Sequence, residues 1–357
     1  MRIAVDAREL GGQTTGVGRY LNCLLREWGL SATRHQWTLY SPDGRLAVPP
    51  GLDAEVVCVP GTGNTRWEQG PLARAIRRDR PEVFFAPGYT APLSGTVPLV
   101  VAMHDVSFAA HPEWYRWREG MRRRWLSRWA ARKARAVLTI SAFSRDEIVR
   151  HLGVPAERVR VIPLGVGLSS APGRSDKREP LVLFVGSIFN RRHLPALIDG
   201  FGRLAMPRRE LRLEVVGANR THPPLDLDAL ARAAAPDRIR IRNWVDDSEL
   251  RALYERASAF AFLSEYEGFG LTPLEALAAG IPPVVLDTAV TREVLGDAAI
   301  YVARPDGSLV ADALRDALGP GSERQRVLEA APAVLARYDW RRTAVETLAV
   351  LEEAARR

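Results

Sequence analysis

Short runs of consecutive apolar residues alternate along this chain with longer stretches in which apolar residues recur every three or four positions. The first kind predicts buried strands and the second amphipathic helices. In the first half, strands are expected at Ile3–Val5, Trp37–Tyr40, Glu55–Val59, Val83–Ala86, Leu99–Met103, Val137–Ile140 and Val159–Ile162. Helical stretches fall between several of them, at Tyr20–Trp28, Leu72–Arg78, Trp114–Lys133 and Asp146–Leu152. After Gly165-Val166-Gly167 the composition shifts to SSAPGRSDKREP, small, polar and charged residues with prolines, which predicts a linker over 168–180. The alternation then restarts. Strands are expected at Leu181–Val185, Leu211–Val216, Ile239–Ile241 and Phe260–Leu263, with another beginning at Val284 and Val285. Helices are expected at Leu194–Leu204, Leu225–Ala234, Asp247–Arg256 and Trp340–Arg356. The pattern predicts the α/β class: two Rossmann-like domains, 1–167 and 181–357, facing each other across a cleft at the C-terminal ends of their strands. The final helix is free to pack back on the first domain.

One stretch departs from simple alternation. SEYEGFGLTPLE, residues 264–275, places Glu267 and Glu275 eight residues apart around a Gly-Phe-Gly turn, between an apolar run and an apolar-faced one. Thr272-Pro273-Leu274-Glu275 has the form of a capping box, with Thr272 as N-cap, Pro273 at the first helical position and Glu275 reaching back. Gly268 and Gly270 just before it let the backbone approach a ligand closely. A helix N-terminus there suits a phosphate or diphosphate. Taken alone, the two glutamates also fit a bland reading, one capping and one solvated.

Composition narrows the class. Of 357 residues, 46% are hydrophobic and 26% charged, as in an ordinary globular protein of about two domains. Cys23 and Cys58 are the only cysteines and have no CxxC spacing, so a disulfide framework or zinc site is not expected and a reducing cytoplasm is. MRIAVDAREL lacks the apolar core of a signal peptide, and no apolar window is long enough to span a bilayer. The net charge of +8 comes almost wholly from arginine, since Lys133 and Lys177 are the only lysines. That bias reads as coding composition and weakens charge as evidence for a partner.

EGFGLTPLEALAAGIPPVV resembles the E-x7-E segment of the retaining glycosyltransferases of family 4, which have the GT-B fold. Glu267 and Glu275 stand at its two glutamate positions. The resemblance continues along nearly the whole chain, in order. DARELGGQTTGVGRYL is similar to the family's glycine-containing first loop, and VVAMHDVSFAAHPEWY to its His-Asp strand end. VGSIFNRRHLPALIDGF is similar to its Gly-x4-Arg-Lys-Asn loop, and VLGDAAIYV to its late Gly-Asp-Ala-Ala segment. The resemblance implies an N-terminal acceptor-binding domain and a C-terminal domain that binds a nucleoside-diphosphate sugar. It implies that Glu267 and His104 lie at the transferred sugar and Glu275 at the ribose. Gly268, Phe269, Gly270 and Leu271 would hold sugar and phosphates through their backbone, and Gly16 and Gly18 would approach the donor from the other domain.

Arg191 matches the family's Arg, whereas Arg192 replaces its Lys and His193 its Asn. Two cations there would neutralise a diphosphate leaving group. No cofactor or metal is expected, because no convincing DxD loop is present. Asp246 and Glu249 read as helix-capping acids.

Trp114, Trp117, Trp125 and Trp129 fall at spacings of one helical face in an arginine-rich stretch. They read either as a core stripe or as a basic amphipathic face for an anionic membrane beside a lipid-linked acceptor. Nucleic acid is not an expected partner. The reading is therefore a metal-independent hexosyltransferase, mannose being the first guess for the sugar, acting on a saccharide or lipid-linked acceptor in bacterial polysaccharide or glycolipid synthesis. The alternatives are a catalytically silent membrane-associated scaffold and a GT-B sugar-nucleotide epimerase.

Overall fold

The structure is a computed structural model and describes residues 1–11, 16–31, 34–167 and 178–356. The chain forms two compact units, Met1–Gly165 together with Tyr338–Arg357, and Val166–Arg337. Most of the expected linker, residues 168–177, lies outside the described residues.

The first unit holds a seven-stranded sheet of β1 (Arg2–Asp6), β2 (Gln36–Ser41), β3 (Ala54–Cys58), β4 (Val83–Ala86), β5 (Leu99–Ala102), β6 (Ala136–Thr139) and β7 (Val159–Val161). Its order is β3-β2-β1-β4-β5-β6-β7, and every pair is parallel. β4, β5 and β6 are buried along their whole length, which is why they read as unbroken apolar runs: helices cover both faces of a parallel sheet. The order reverses beside β1, and chain connections diverge there to leave a crevice at the C-terminal strand ends. At that end, Arg8 pairs with the buried carboxylates of Asp6 and Glu68, and Thr90 Oγ1 donates to Glu68 Oε2 at 2.6 Å. This network braces the ends of β1 and β4.

The helix Trp340–Arg356 belongs to this unit. Trp28 of the helix Gly16–Leu30 stacks on Trp37 of β2 at 4.4 Å and donates through Nε1 to the Ala344 carbonyl at 2.9 Å. Gly165 lies so close that an added Cβ would sit 2.3 Å from the Trp340 nitrogen, so only glycine fits where the chain leaves the unit.

The second unit holds a six-stranded sheet of β8 (Leu181–Val185), β9 (Arg212–Val216), β10 (Ile239–Arg242), β11 (Ala259–Phe262), β12 (Pro283–Leu286) and β13 (Ile300–Val302). Its order is β10-β9-β8-β11-β12-β13, again all parallel, with the reversal between β8 and β11. β13 and the helices Ala289–Leu295, Gly307–Leu318 and Ser322–Leu335 were not among the expected elements. Gly307–Leu318 packs tightly on Leu194–Ala205: a Cβ on Gly200 would fall 2.7 Å from Val310.

The helix expected from Trp114 begins instead at Trp117 and runs to Lys133. Trp114 lies in the preceding turn, stacked on His111 at 3.9 Å, so the four tryptophans do not share one face. The helix buries Gly120, Leu126, Ser127, Ala130 and Ala131, and Trp129 is partly buried against the core. Trp117, Met121 and Trp125, each four residues from the next, are 69%, 42% and 58% exposed. The core-stripe reading therefore holds only for Trp129. Among the described residues no helix is long and apolar enough to cross a membrane.

Candidate active site

The loops after β8 and β11 meet at the point where the second sheet's order reverses. β8 ends at Val185, and Gly186 follows at φ +142° with no room for a side chain: a Cβ there would lie 2.6 Å from Arg192 Nη1. The space is taken by the Arg192 guanidinium, which donates through Nη1 to the Ser187 carbonyl at 2.7 Å and lies 4.6 Å from the Phe262 ring centroid. Gly217, at the end of β9, approaches just as closely, its Cβ position being 2.0 Å from the Gly186 carbonyl oxygen.

Arg192 then reaches across to the β11 loop. Its Nε donates to Glu267 Oε1 at 2.9 Å and its Nη2 lies 2.8 Å from the same oxygen. Ser264 Oγ donates to Oε1 at 2.9 Å as well. The side chains of Arg192 and Glu267 are 12% and 18% exposed, so the pair is largely shielded from water. Because all three bonds fall on Oε1, Oε2 remains as an acceptor. Two further contacts join the loops: Glu265 N donates to the Arg191 carbonyl at 3.0 Å, and His193 Nε2 lies 3.1 Å from Glu265 Oε2. Arg191 stacks on Phe189 with its guanidinium carbon 4.4 Å from the ring centroid.

The capping-box expectation fails. The helix is Leu271–Ala278, and its N-cap is Gly270 at φ 100°, ψ 59°, with no side-chain cap bond. Gly270 occupies a left-handed conformation that a side chain would resist, and so starts the helix two residues before Pro273. Pro273 is thereby the third helical residue, where its missing N–H costs no helical bond. Thr272 is inside the first turn rather than capping it. Glu275 is the fifth residue, only 2% exposed, and its Oε2 accepts from the Tyr254 hydroxyl at 3.2 Å. Asp246 does cap its helix as expected, accepting from Glu249 N at 2.8 Å.

Gly16, Gly18 and His104 lie in the first unit. Gly16 and Gly18 are not in a loop before a helix; they are in the first turn of Gly16–Leu30. Among the described residues, no heavy atom outside its chain neighbours and its own helix backbone lies within 4 Å of a Cβ built on Gly16. Tyr20, one turn on, sets its ring edge-on to His104 at 4.7 Å, which ties this helix to the end of β5. His104 Nε2 lies 2.9 Å from the Pro87 carbonyl and donates to it, leaving Nδ1 as the acceptor of the neutral ring. Burial pushes the His104 pKa below its ordinary value, against the Pro87 bond and the Asp105 charge, which act upward.

The pairing of Arg192 with Glu267, the Ser264 bond and the Tyr254 bond had no counterpart in the sequence reading. A serine three residues before a glutamate gives no signal by itself. Among the described residues no group of three or more His, Cys, Asp or Glu side chains is gathered as a metal site would require.

Comparisons with known proteins bear on both units. A family model described as Glycosyltransferase Family 4 matches residues 14–170, and one described as Glycosyl transferases group 1 matches residues 169–334. O-antigen chain mannosyltransferase B of Escherichia coli is 25% identical over 293 residues, 77% of this chain and 75% of that protein. The MMP alpha-(1->4)-mannosyltransferase of Mycolicibacterium hassiacum is 27% identical over 285 residues, 73% of this chain and 66% of that protein. These two and two glycogen synthases of Mycobacterium tuberculosis are spanned over 64% to 75% of their own length. Anabaena HepE, solved in complex with UDP-glucose, is similar in fold with a TM-score of 0.73 at 18% identity, over 98% of this chain and 100% of that one. The two parallel Rossmann-like sheets are those of the GT-B fold.

His104 offers a direct check of the geometry around it. By NMR its ring should titrate below the ordinary 6.5. The sign for stability follows. Above 6.5 both folded and unfolded chains carry a neutral His104, and its contribution is complete. As pH falls below that value the unfolded chain takes a proton that the folded one declines, and stability drops until the folded ring also protonates. A titration midpoint at or above 6.5 would show that the ring is not desolvated as described.

Proposed function

The chain belongs to the family 4 glycosyltransferases, enzymes that transfer sugars, and from that premise we propose how this one works. It moves a hexose, mannose first among candidates, from a nucleoside-diphosphate sugar to an acceptor hydroxyl with retention of anomeric configuration. The observation that carries this reading is the junction of the β8 and β11 loops at the reversal of strand order, where Arg192 pairs with Glu267 just before the helix Leu271–Ala278 begins and the Arg191 carbonyl accepts from Glu265 N.

The chemistry divides among these groups. Glu267 Oε1 is fixed by Arg192 and Ser264, which leaves Oε2 to accept from a hydroxyl of the transferred sugar. Arg191 and the unbonded N–H groups of Leu271 and Thr272 meet the diphosphate, whose negative charge grows as the bond to the sugar breaks. Arg192 contributes to that field with its charge already shared with Glu267. Gly268, Phe269 and Gly270 shape the turn that lets the donor approach, and Glu275 supports the nucleotide side. For the first unit taken by itself, the family resemblance gives His104 a role toward the sugar and Gly16 and Gly18 a role toward the donor. The acceptor hydroxyl attacks on the face from which the phosphate leaves, and that phosphate takes its proton. No metal is assigned to the diphosphate, because the arginines and the helix N-terminus supply the counter-charge. The relatives, an O-antigen chain mannosyltransferase and an MMP mannosyltransferase, support mannose and a saccharide acceptor. UDP-glucose in HepE supports a nucleotide-sugar donor.

The exposed stripe of Trp117, Met121 and Trp125, flanked by the exposed Arg118, Arg122 and Arg128, supports peripheral contact with an anionic membrane that carries the acceptor. Each arginine near such a surface contributes about 1 kcal/mol at low ionic strength.

The transfer reading is tested with a panel of nucleoside-diphosphate sugars, GDP-mannose first, followed by thermal shift and product analysis. Glu267→Ala is expected to cut turnover at least ~10²-fold while unfolding stays cooperative, and wild-type turnover to survive EDTA. Near-normal turnover in the variant removes Glu267 from the reaction, and an EDTA loss reversed by Mg2+ or Mn2+ removes the arginine account of the diphosphate. For the membrane, sedimentation with anionic and neutral vesicles is the measurement. Binding to anionic vesicles only, weakened by salt and by replacing Trp117 and Trp125 with Ser, is expected. Absence of binding to both at about 50 mM salt rules the contact out.

A further inference from the structure

We propose that Arg123 is a positioning residue for His104 and acts on it through Tyr89. The inference rests on the reading of His104 as a sugar-facing group. Arg123 lies on the helix Trp117–Lys133 but is half-buried, unlike the exposed Trp117, Met121 and Trp125. Its guanidinium carbon is 5.3 Å from the ring centroid of Tyr89, 5.4 Å from that of Phe108 and 6.0 Å from that of Tyr115. Among the described residues no carboxylate pairs with it, so three aromatic rings take the place of a counter-ion.

Two of those rings lead to the end of β5. The Tyr89 hydroxyl donates to Asp105 Oδ2 at 3.2 Å. Ser107 donates to Asp105 Oδ1 through its backbone N at 2.9 Å and its Oγ at 2.7 Å, and Ser107 Oγ lies 2.6 Å from the Tyr115 hydroxyl. Arg123, Tyr89, Asp105, Ser107 and Tyr115 therefore form a closed circuit of contacts. His104 is the chain neighbour of Asp105, and the Tyr89 ring stands edge-on to it at 5.9 Å.

Tyr89 reaches that place at a cost. Its φ is +63°, a left-handed conformation that aromatic residues rarely take. Its N–H is bonded to the Ala102 carbonyl at 2.9 Å, and its ring packs on Phe108 at 6.1 Å. Such strain persists where the surroundings over-determine it, and it concentrates at functional sites. Here the surroundings include the Arg123 guanidinium, set among the rings of Tyr89, Phe108 and Tyr115. The ionisable groups around His104 are Asp105 beside it in sequence, Tyr20 from Gly16–Leu30, Tyr89 from the connection between β4 and β5, and Arg123 behind Tyr89.

The test compares Arg123→Met, which keeps a long side chain without charge, with Arg123→Lys, which keeps a cation over the rings. In the Met variant the cation that holds the Tyr89 ring is lost, and the loosened ring admits water to the strand end. Relief of the burial that depresses the His104 pKa favours the protonated imidazole, so its titration followed by NMR is expected to move up toward 6.5. In the Lys variant it is expected to stay close to that of the wild type. With a turned-over donor, the Met variant is expected to lose about tenfold in kcat with little change in donor KM, as a misplaced group does. An unchanged His104 titration in the Met variant overturns the proposal. So does a Lys variant that shifts as far as the Met variant. Should Arg123→Met fail to fold, Tyr89→Phe, which removes only the hydroxyl bonded to Asp105, is read in the same way, and an unaltered His104 titration there overturns it too. The titration needs no substrate. If the wild type transfers sugar from no nucleotide donor, the transferase reading falls while the titration still decides the role of Arg123.

Discussion

A guanidinium and a carboxylate 75 residues apart in sequence, Arg192 and Glu267, close the junction on which the proposed donor site depends. They join the loops that follow β8 and β11, the two strands on either side of the reversal in the second sheet. Neither side chain has an alternative of equal quality, since both are largely removed from water. Losing one partner would leave a shielded charge uncompensated, at a cost of about 3 kcal/mol or more. The glycine at position 186 exists in this context to admit the arginine, and Ser264 to share the carboxylate. The pair also fixes chemistry: it consumes one carboxylate oxygen and leaves the other directed by the same three bonds.

The same logic operates in the first unit with weaker contacts. There the end of β5 is held by hydrogen bonds to Asp105 and by aromatic edges on His104, with Arg123 enclosed among rings instead of paired with an acid. The C-terminal end of each sheet is thus braced by side chains from other elements, Tyr20 and Tyr89 in the first unit and Glu267 in the second. The strands provide position, and the cross-loop contacts provide orientation. That division explains why the loops can carry the chemistry while the sheet remains a general scaffold.

Much of the scaffold was legible in the sequence because parallel strands covered on both faces are uninterrupted apolar runs. Val83–Ala86, Leu181–Val185 and Asp247–Arg256 fall where the pattern places them. Between Val285 and Trp340 the pattern predicts no further element, although a strand and three helices lie there. The strand, β13, is three residues long, Ile300–Val302, and a run that short is no different from a loop with apolar residues. The helices around it do carry local start signals: Thr288 caps Ala289–Leu295, and Asp306 accepts from Ser308 and Leu309 at the start of Gly307–Leu318. The start of Leu271–Ala278 was misplaced because Thr-x-x-Glu is a capping pattern in isolation, while Gly270 can begin a helix in a conformation open to few other residues. The glutamates and arginines of the candidate site were named from their spacing and their resemblance to a family. Their mutual pairing was not visible, because it depends on two loops that only the order of strands brings together. The exposed Trp117 and Trp125 could not be told from core residues by periodicity, since a period gives a face but not what lies against it.

The central claim is that the β8–β11 junction binds a nucleoside diphosphate through its cations while Glu267 addresses the sugar. Calorimetric titration of GDP and UDP, without a sugar attached, into the wild type, Arg192→Met and Glu267→Gln measures this directly. The account predicts that at least one of the two diphosphates binds the wild type. It predicts that Arg192→Met weakens that binding by about tenfold or more, equivalent to about 1.4 kcal/mol. It predicts that Glu267→Gln binds as well as the wild type or better, because removing the carboxylate charge leaves Arg192 free to meet the phosphates. Equal weakening by both substitutions, or wild-type affinity in Arg192→Met, would contradict it.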